Sequence, residues 1–189
     1  KDEKEHLEFF ISRNSELLFD SQSFWREYFR FTHQERAKHR IIKFFEPIDR
    51  TLGRIIGEVC AGHGLDIEDI ESYDENESVC GQIVNTKCLA VYIRMIDLLD
   101  IAKDRTPYKL WKFLNPVNGF SNAEFKKHLA LNPISRSLDQ VNTIHIHGET
   151  GDADIYYSLK DLRKYVDNQI LENLRAIENQ GDYSIWFKV

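Results

Sequence analysis

The chain has 189 residues, a formal net charge of −6, and 42% hydrophobic and 12% aromatic residues, enough apolar side chain to close one domain around a core of its own. That balance excludes a disordered or low-complexity chain, and the acidic net charge argues against nonspecific binding of duplex nucleic acid, which needs clustered Lys and Arg. No stretch approaches the ~18 apolar residues of a membrane span, and three cysteines, Cys60, Cys80 and Cys88, with no CxxC and no apolar leader, point to a reducing, cytoplasmic setting.

Residues 1–20 pass from charged to amphipathic, with Leu7, Phe10, Ile11 and Leu18 available to cover a core, and predict a short helix. After Ser21 and Ser23, the residues Phe24, Trp25, Tyr28, Phe29, Thr32 and Arg36 and the group 41–45 recur at helical intervals, which predicts a long helix. His33, four after Phe29 and four before Ala37, shares their stripe and is expected to face inward. Pro47 and Asp49 break and restart the chain, and Leu52, Ile55, Ile56, Val59 and Cys60 give the next helix an apolar face. His63 stands between Gly62 and Gly64, at the expected C-terminal stop of that helix. Residues 65–82 carry seven Asp or Glu and no Lys or Arg, which predicts a solvated loop with one short amphipathic piece around Ile67 and Ile70.

The run Cys88–Ile101 is nearly all apolar, too long for an ordinary strand and free of Gly and Pro, so it reads as a buried helix. Pro107 then disfavours helix at Thr106, so Asp104, Arg105 and Thr106 are presented from a turn, followed by a short apolar helix over YKLWKFLNP. Ile144 and Ile146 alternate with Thr143, His145 and His147, a strand pattern, and Ile155, Tyr156 and Tyr157 are expected to form the return strand of a hairpin over about 142–158. Leu162, Tyr165, Val166, Ile170, Leu171, Leu174 and Ile177 share a face, which predicts a long C-terminal helix over about 159–178. The expected architecture is mainly α: one helical domain over 1–180 carrying a small antiparallel β-hairpin and a long C-terminal helix, with 181–189 the start of a further segment or a tail. The opening residues, which lack Met, and the apolar ending suggest a piece of a longer chain.

The chemistry begins at Asp97, flanked on the helix net by Ile93, Ile96, Leu98 and Ile101. An ionised carboxylate buried there costs several kcal/mol unless a cation or hydrogen bonds compensate it. His33 and His63, from two other helices, are the candidate partners, and two imidazoles with one carboxylate can hold Mn, Fe, Co, Ni or Zn. Arg36, one turn after His33, could face the same pocket. The alternative is structural, with hydrogen-bonded histidines and with Asp97 paired to Arg94, Arg36 or Arg105. His145 and His147 on one strand face are a weaker chelating pair, and Cys60, three before His63, reads as core. A partner helix or a second copy of the chain on the C-terminal helix is a further alternative to that helix covering its own core.

The pieces HQERA, IGEVCAGH and DLLDIAKDRTP, in that order, resemble the HD superfamily of metal-dependent phosphohydrolases over roughly residues 24–180. The nearer resemblance is to its divergent HD-CE branch, found as a domain in larger bacterial proteins and sometimes beside Hsp90-like ATPase domains. The resemblance implies a helical bundle with a divalent metal at His33, His63 and Asp97. It further implies His63 and Asp97 in catalysis, Arg36 and Arg105 on the phosphate, and a phosphorylated small molecule or nucleotide as ligand. In HD enzymes a second acid adjoins the histidine, whereas here Gly64 follows His63 and Asp66 is the nearest acid. Two functions therefore stand open: a hydrolase with a degenerate site, or a noncatalytic regulatory module serving a neighbouring domain of the same chain.

Overall fold

Helices form wherever apolar side chains recur at the right spacing, and capping side chains set where several of them begin. The computed structural model describes residues 3–15, 18, 21–101, 119–136 and 143–178. Helix α1 (Glu3–Arg13) lies on the first half of α2 (Ser21–Phe45) through Phe10, Phe24 and Tyr28, whose rings meet edge-on with Phe10 at 5.5 and 5.6 Å. Buried Thr32 satisfies its hydroxyl by donating to the Tyr28 carbonyl at 2.9 Å. The inward stripe of α2 is thus Phe24, Tyr28 and Thr32; Phe29 and His33 are exposed, contrary to the inward placement expected of them.

Asp49 caps α3 (Arg50–Ala61) by accepting from the Leu52 amide at 2.9 Å, and α3 packs against α2. A 3-10 turn over Gly62–Gly64 carries His63 out of the helix, and a short α4 (Ile67–Glu71) follows. The acidic stretch is more ordered than a solvated loop. Strands β1 (Glu77–Val79) and β2 (Gln82–Val84) pair antiparallel around Cys80 and Gly81, whose φ values of +51° and +76° are those of a type I′ turn. Glu77 is buried there and answered by both terminal nitrogens of Arg54 and by the Thr86 hydroxyl at 3.1 Å, so a carboxylate that charge patterning assigns to solvent is held inside. The hydrogen bond from Arg54 to Glu77 raises the guanidinium pKa above its ordinary value.

Asn85 caps α5 (Thr86–Leu99) by accepting from the Cys88 amide at 2.8 Å. Cys88, Ala90, Val91 and Met95 of α5 join Ile70 of α4 and the end of the C-terminal helix, Ala176 and Ile177, in the main core. Further on come α6 (Gly119–Leu129), the strands β3 (Ser135–Arg136) and β4 (Ile144–His145), paired antiparallel, and α7 (Ala153–Ile177). Ile155–Tyr157 are the first turns of α7, not a return strand, because the Asp152 carboxylate accepts from the Asp154 and Ile155 amides and starts the helix at 153. The partner of β4 is instead the strand before it. Arg94 ties α7 to the turn after His63: it donates to the Leu65 carbonyl and, at 2.6 Å, to Gln169 of α7. The DRTP turn with Arg105, Lys103, the helix expected over YKLWKFLNP and residues 181–189 lie outside the described residues.

Candidate functional site

His33 comes from the middle of α2 and His63 from the 3-10 turn after α3, and the packing of those two helices brings the rings together. Their centroids are 4.9 Å apart, and the two Nε2 atoms face one another at 2.7 Å. His33 Nδ1 lies 2.5 Å from the Arg30 carbonyl and His63 Nδ1 lies 2.6 Å from the Cys60 carbonyl. A carbonyl oxygen can only accept, so each Nδ1 is the N–H donor and each neutral ring presents a bare lone pair at Nε2. Two lone pairs at that separation repel. At that distance a proton shared by the two atoms satisfies the arrangement, whereas a metal bonded to both at ~2.0–2.1 Å needs the rings opened to about 3 Å or more; backbone carbonyls holding Nδ1 are the usual orienting partners of metal-binding histidines.

Gln34 lies against Gly64, the residue after His63. A Cβ placed on Gly64 would stand 2.9 Å from Gln34 Cδ and 3.0 Å from Cγ, so the Gln34 chain already covers the point from which a side chain at position 64 would grow. Its Oε1 is buried and has no hydrogen-bond partner among the described residues. Spacing alone did not single out Gln34. The available signal was Gly64 itself, since a missing side chain next to His63 leaves space for a neighbour to fill.

Asp97 is not buried: burial along α5 ends with Met95, and Asp97 lies in the last turn beside Ile96, which is 64% exposed. The greasy surroundings inferred from the helix net fail because the core stops one turn before the helix does. Among the described residues no group of three or more His, Cys, Asp or Glu is arranged to hold a metal ion, so Asp97 is not brought to the two imidazoles. Arg36 places its guanidinium over the Phe29 ring, 4.5 Å from the centroid. Trp25 stacks on Phe29 at 5.8 Å, and the two rings are 46% and 47% exposed on the side of α2 that also carries His33. His145 of β4 and His147 just beyond it are exposed and stack at 5.8 Å, and among the described residues no acid or cysteine completes a metal-holding group with them. Lys127 pairs with Glu124 at 2.7 Å, and His128 Nδ1 lies 3.0 Å from the Ile101 carbonyl, both holding α6 in place.

The other buried ionisable groups are structural. Burial pushes the Tyr73 phenol up to about 12, helped by Glu58, Glu35 and Asp69, and its hydroxyl donates to the Glu58 carbonyl at 3.4 Å. Burial likewise raises the Cys88 thiol and the Tyr92 phenol. All three cysteines are free, with Cys60 half-buried and Cys80 exposed at the hairpin tip. Among the described residues no helix is long and apolar enough to cross a membrane.

Compared with known proteins, the chain matches the HD-CE family model over residues 1–176. No curated protein and no solved structure matches it.

Proposed function

The chain belongs to the HD-CE family, and on that premise we propose that it binds a phosphate-bearing small molecule of the nucleotide class through a divalent transition metal held at His33 and His63. The observation that carries this reading is the pair of Nε2 atoms brought face to face at 2.7 Å, with each ring held at its Nδ1 by a backbone carbonyl. A bound Mn, Fe, Co or Zn ion supplies Lewis acidity, drawing charge from a phosphoryl oxygen and acidifying water. The two imidazoles hold and orient it. Arg36, three residues after His33, reaches the phosphate when its guanidinium leaves the Phe29 ring, a fork suited to bidentate binding of phosphate oxygens. Arg105 is the second phosphate ligand in this reading.

The nucleotide class follows from the same side of α2. Phe29 and Trp25 precede His33 by four and eight residues, about 6 and 12 Å along the axis at ~1.5 Å per residue. Flat rings at that reach suit a base stacked on them while the phosphate sits at the imidazoles. With Gly64 where HD enzymes carry an acid, no carboxylate adjoins His63 to orient a water, so this reading expects tight binding with slow phosphoester hydrolysis at most. Equilibrium titration of the purified protein with Mn or Co, followed by a nucleotide panel, tests it. Binding that needs the metal and disappears in His33→Ala supports the proposal; a protein that takes up neither Mn nor Co defeats it.

A second reading, a noncatalytic regulatory module acting on a neighbouring domain or a second copy, draws on α7. That helix buries Val166, Ala176 and Ile177 but exposes Tyr157 and Tyr165, which with Lys127, Asp154 and Asp161 border an open groove of about 490 Å³. A nucleotide-independent dimer in light scattering, broken by Tyr157→Ser with Tyr165→Ser, favours this second reading.

A further inference from the structure

Helix α2 carries six Lys or Arg against two Glu, in a chain whose formal net charge is −6. The imbalance is sharper on one side of it. At ~100° per residue, Trp25, Phe29, Arg36, Arg40 and Lys43 fall within about 60° of one another and Arg26 stands about 40° further round, whereas Glu27 and Glu35 lie outside that sector. Trp25, Arg26, Phe29, Arg40 and Lys43 are all exposed. Among the described residues no carboxylate pairs with Arg26, Arg40 or Lys43. The rings of the sector are already layered: Trp25 stacks on Phe29 at an interplanar angle of 29°, and the Arg36 guanidinium covers the Phe29 ring. A ring that holds a planar cation also suits an unpaired base, with the displaced guanidinium turning to a phosphate.

Cations with flat rings among them, along one side of a rod, match a polyanion that carries a flat group on every repeat. We infer that the outward side of α2 binds single-stranded nucleic acid, with bases stacked on Trp25 and Phe29 and phosphates along Arg26, Arg36, Arg40 and Lys43. From Trp25 to Lys43 the helix rises about 27 Å at ~1.5 Å per residue, the length of about eight stacked nucleotides at ~3.4 Å each. The inference shares the two rings and Arg36 with the nucleotide reading above and extends it from one nucleotide to a strand. It needs neither the imidazole pair nor a metal. A duplex keeps its bases out of reach of the rings, and the net negative charge of the chain opposes it. A membrane surface calls for apolar and cationic residues on opposite sides of a helix; here the rings stand among the cations, and the side bearing Phe24, Tyr28 and Thr32 is buried.

The test is fluorescence anisotropy of a labelled oligothymidylate of about twelve nucleotides, a length within the usual range of single-strand sites, in buffer containing EDTA. The strand is expected to bind about tenfold tighter than a duplex of the same length. Its affinity should fall with salt along a log–log slope of about −3, from four phosphate contacts at ~0.7 each. Arg40→Gln with Lys43→Gln should halve that slope. Trp25→Leu with Phe29→Leu should weaken binding about tenfold or more at an unchanged slope, whereas Phe29→Tyr, which keeps a ring, should bind as wild type does. Melting midpoints of the variants should match wild type, since these side chains are exposed. Equal affinity for strand and duplex, or the same affinity with both rings removed, overturns the inference. So does binding to vesicles of anionic lipid without binding to the strand, which would assign the surface to a membrane. A protein that binds a mononucleotide with Mn but no strand keeps the nucleotide reading and defeats this one. Strand binding in EDTA that persists in His33→Ala supports this one whatever the fate of the metal.

Discussion

Gly62 approaches Ala90 so closely that a Cβ on it would stand 2.8 Å from the Ala90 Cβ and 3.2 Å from its Cα. The turn that delivers His63 is therefore pressed against α5 with no room for a side chain, and the obstacle is backbone and a methyl that cannot rotate away. Gly62→Ala is expected to cost about 1–3 kcal/mol, as overpacking does, and to lower the melting midpoint by several degrees. The same substitution pushes His63 off His33, so Co²⁺ affinity should fall with stability. Unchanged stability in calorimetry would show that the two elements separate freely.

On the proposed metal reading, the imidazole pair bears on binding rather than on stability. His33 is exposed and His63 half-buried, so removing either ring should change unfolding free energy by less than about 1 kcal/mol. Metal affinity should fall by about 100-fold or more in His33→Ala and in His63→Ala, more than the 10- to 100-fold typical of losing an outer partner. Isothermal titration with Co²⁺ beside urea unfolding reads both quantities.

Arg54 and Glu77 are unequal partners. Glu77 is 8% exposed while the Arg54 side chain is 44% exposed, so an orphaned arginine can turn to water and an orphaned glutamate cannot. Arg54→Met should cost about 2–4 kcal/mol by leaving a buried carboxylate with only the Thr86 hydroxyl. Glu77→Gln should cost less than half of that. Equal losses in chemical denaturation would mean that Glu77 finds another cation.

Tyr73 sets an alkaline limit. Its phenol keeps its proton in the folded chain up to about 12, whereas the unfolded chain releases it near the ordinary tyrosine value of 10.0. The unfolded state therefore binds fewer protons between pH 10 and 12, and stability falls as pH rises through that window. Below pH 10 the contribution is fully present. Tyr73→Phe should cost little at pH 8, where only a 3.4 Å hydrogen bond is lost, and should overtake wild type by about 1 kcal/mol near pH 12, a figure reduced for the half-exposed ring. Urea midpoints of the two proteins across that range measure the crossing.

Asp97→Ala is expected to leave stability within about 0.5 kcal/mol of wild type, as for most exposed side chains. A loss of several kcal/mol in thermal or urea unfolding would restore the buried placement that the apolar run around it suggests.

The elements legible in the sequence are those with long periodic faces or strong local signals. The α2, α3 and α5 helices, the stop at Gly62–Gly64, the Asp49 restart and the convergence of His33 with His63 all follow from spacing, capping and the order of motifs. What escaped depends on packing between distant segments. Nothing local in the acidic stretch announces that Glu77 is buried, because the reason is Arg54, 23 residues earlier. The same holds for Asp97, whose exposure reflects where the core ends rather than which residues flank it. Ile155–Tyr157 alternate well enough for a strand, but the Asp152 cap overrides so short a pattern. Gln34 carries no signal of its own until the bare backbone at Gly64 is set beside it.

Arg94 has a mechanical meaning for the site. Its two terminal nitrogens grip the Leu65 carbonyl, two residues past His63, and Gln169 in the second half of α7. The long terminal rod and the strand of backbone that bears one imidazole are moored to the same cationic post. Sliding that rod must either snap a charge-assisted bond or drag the mooring, and with it the separation of the two rings.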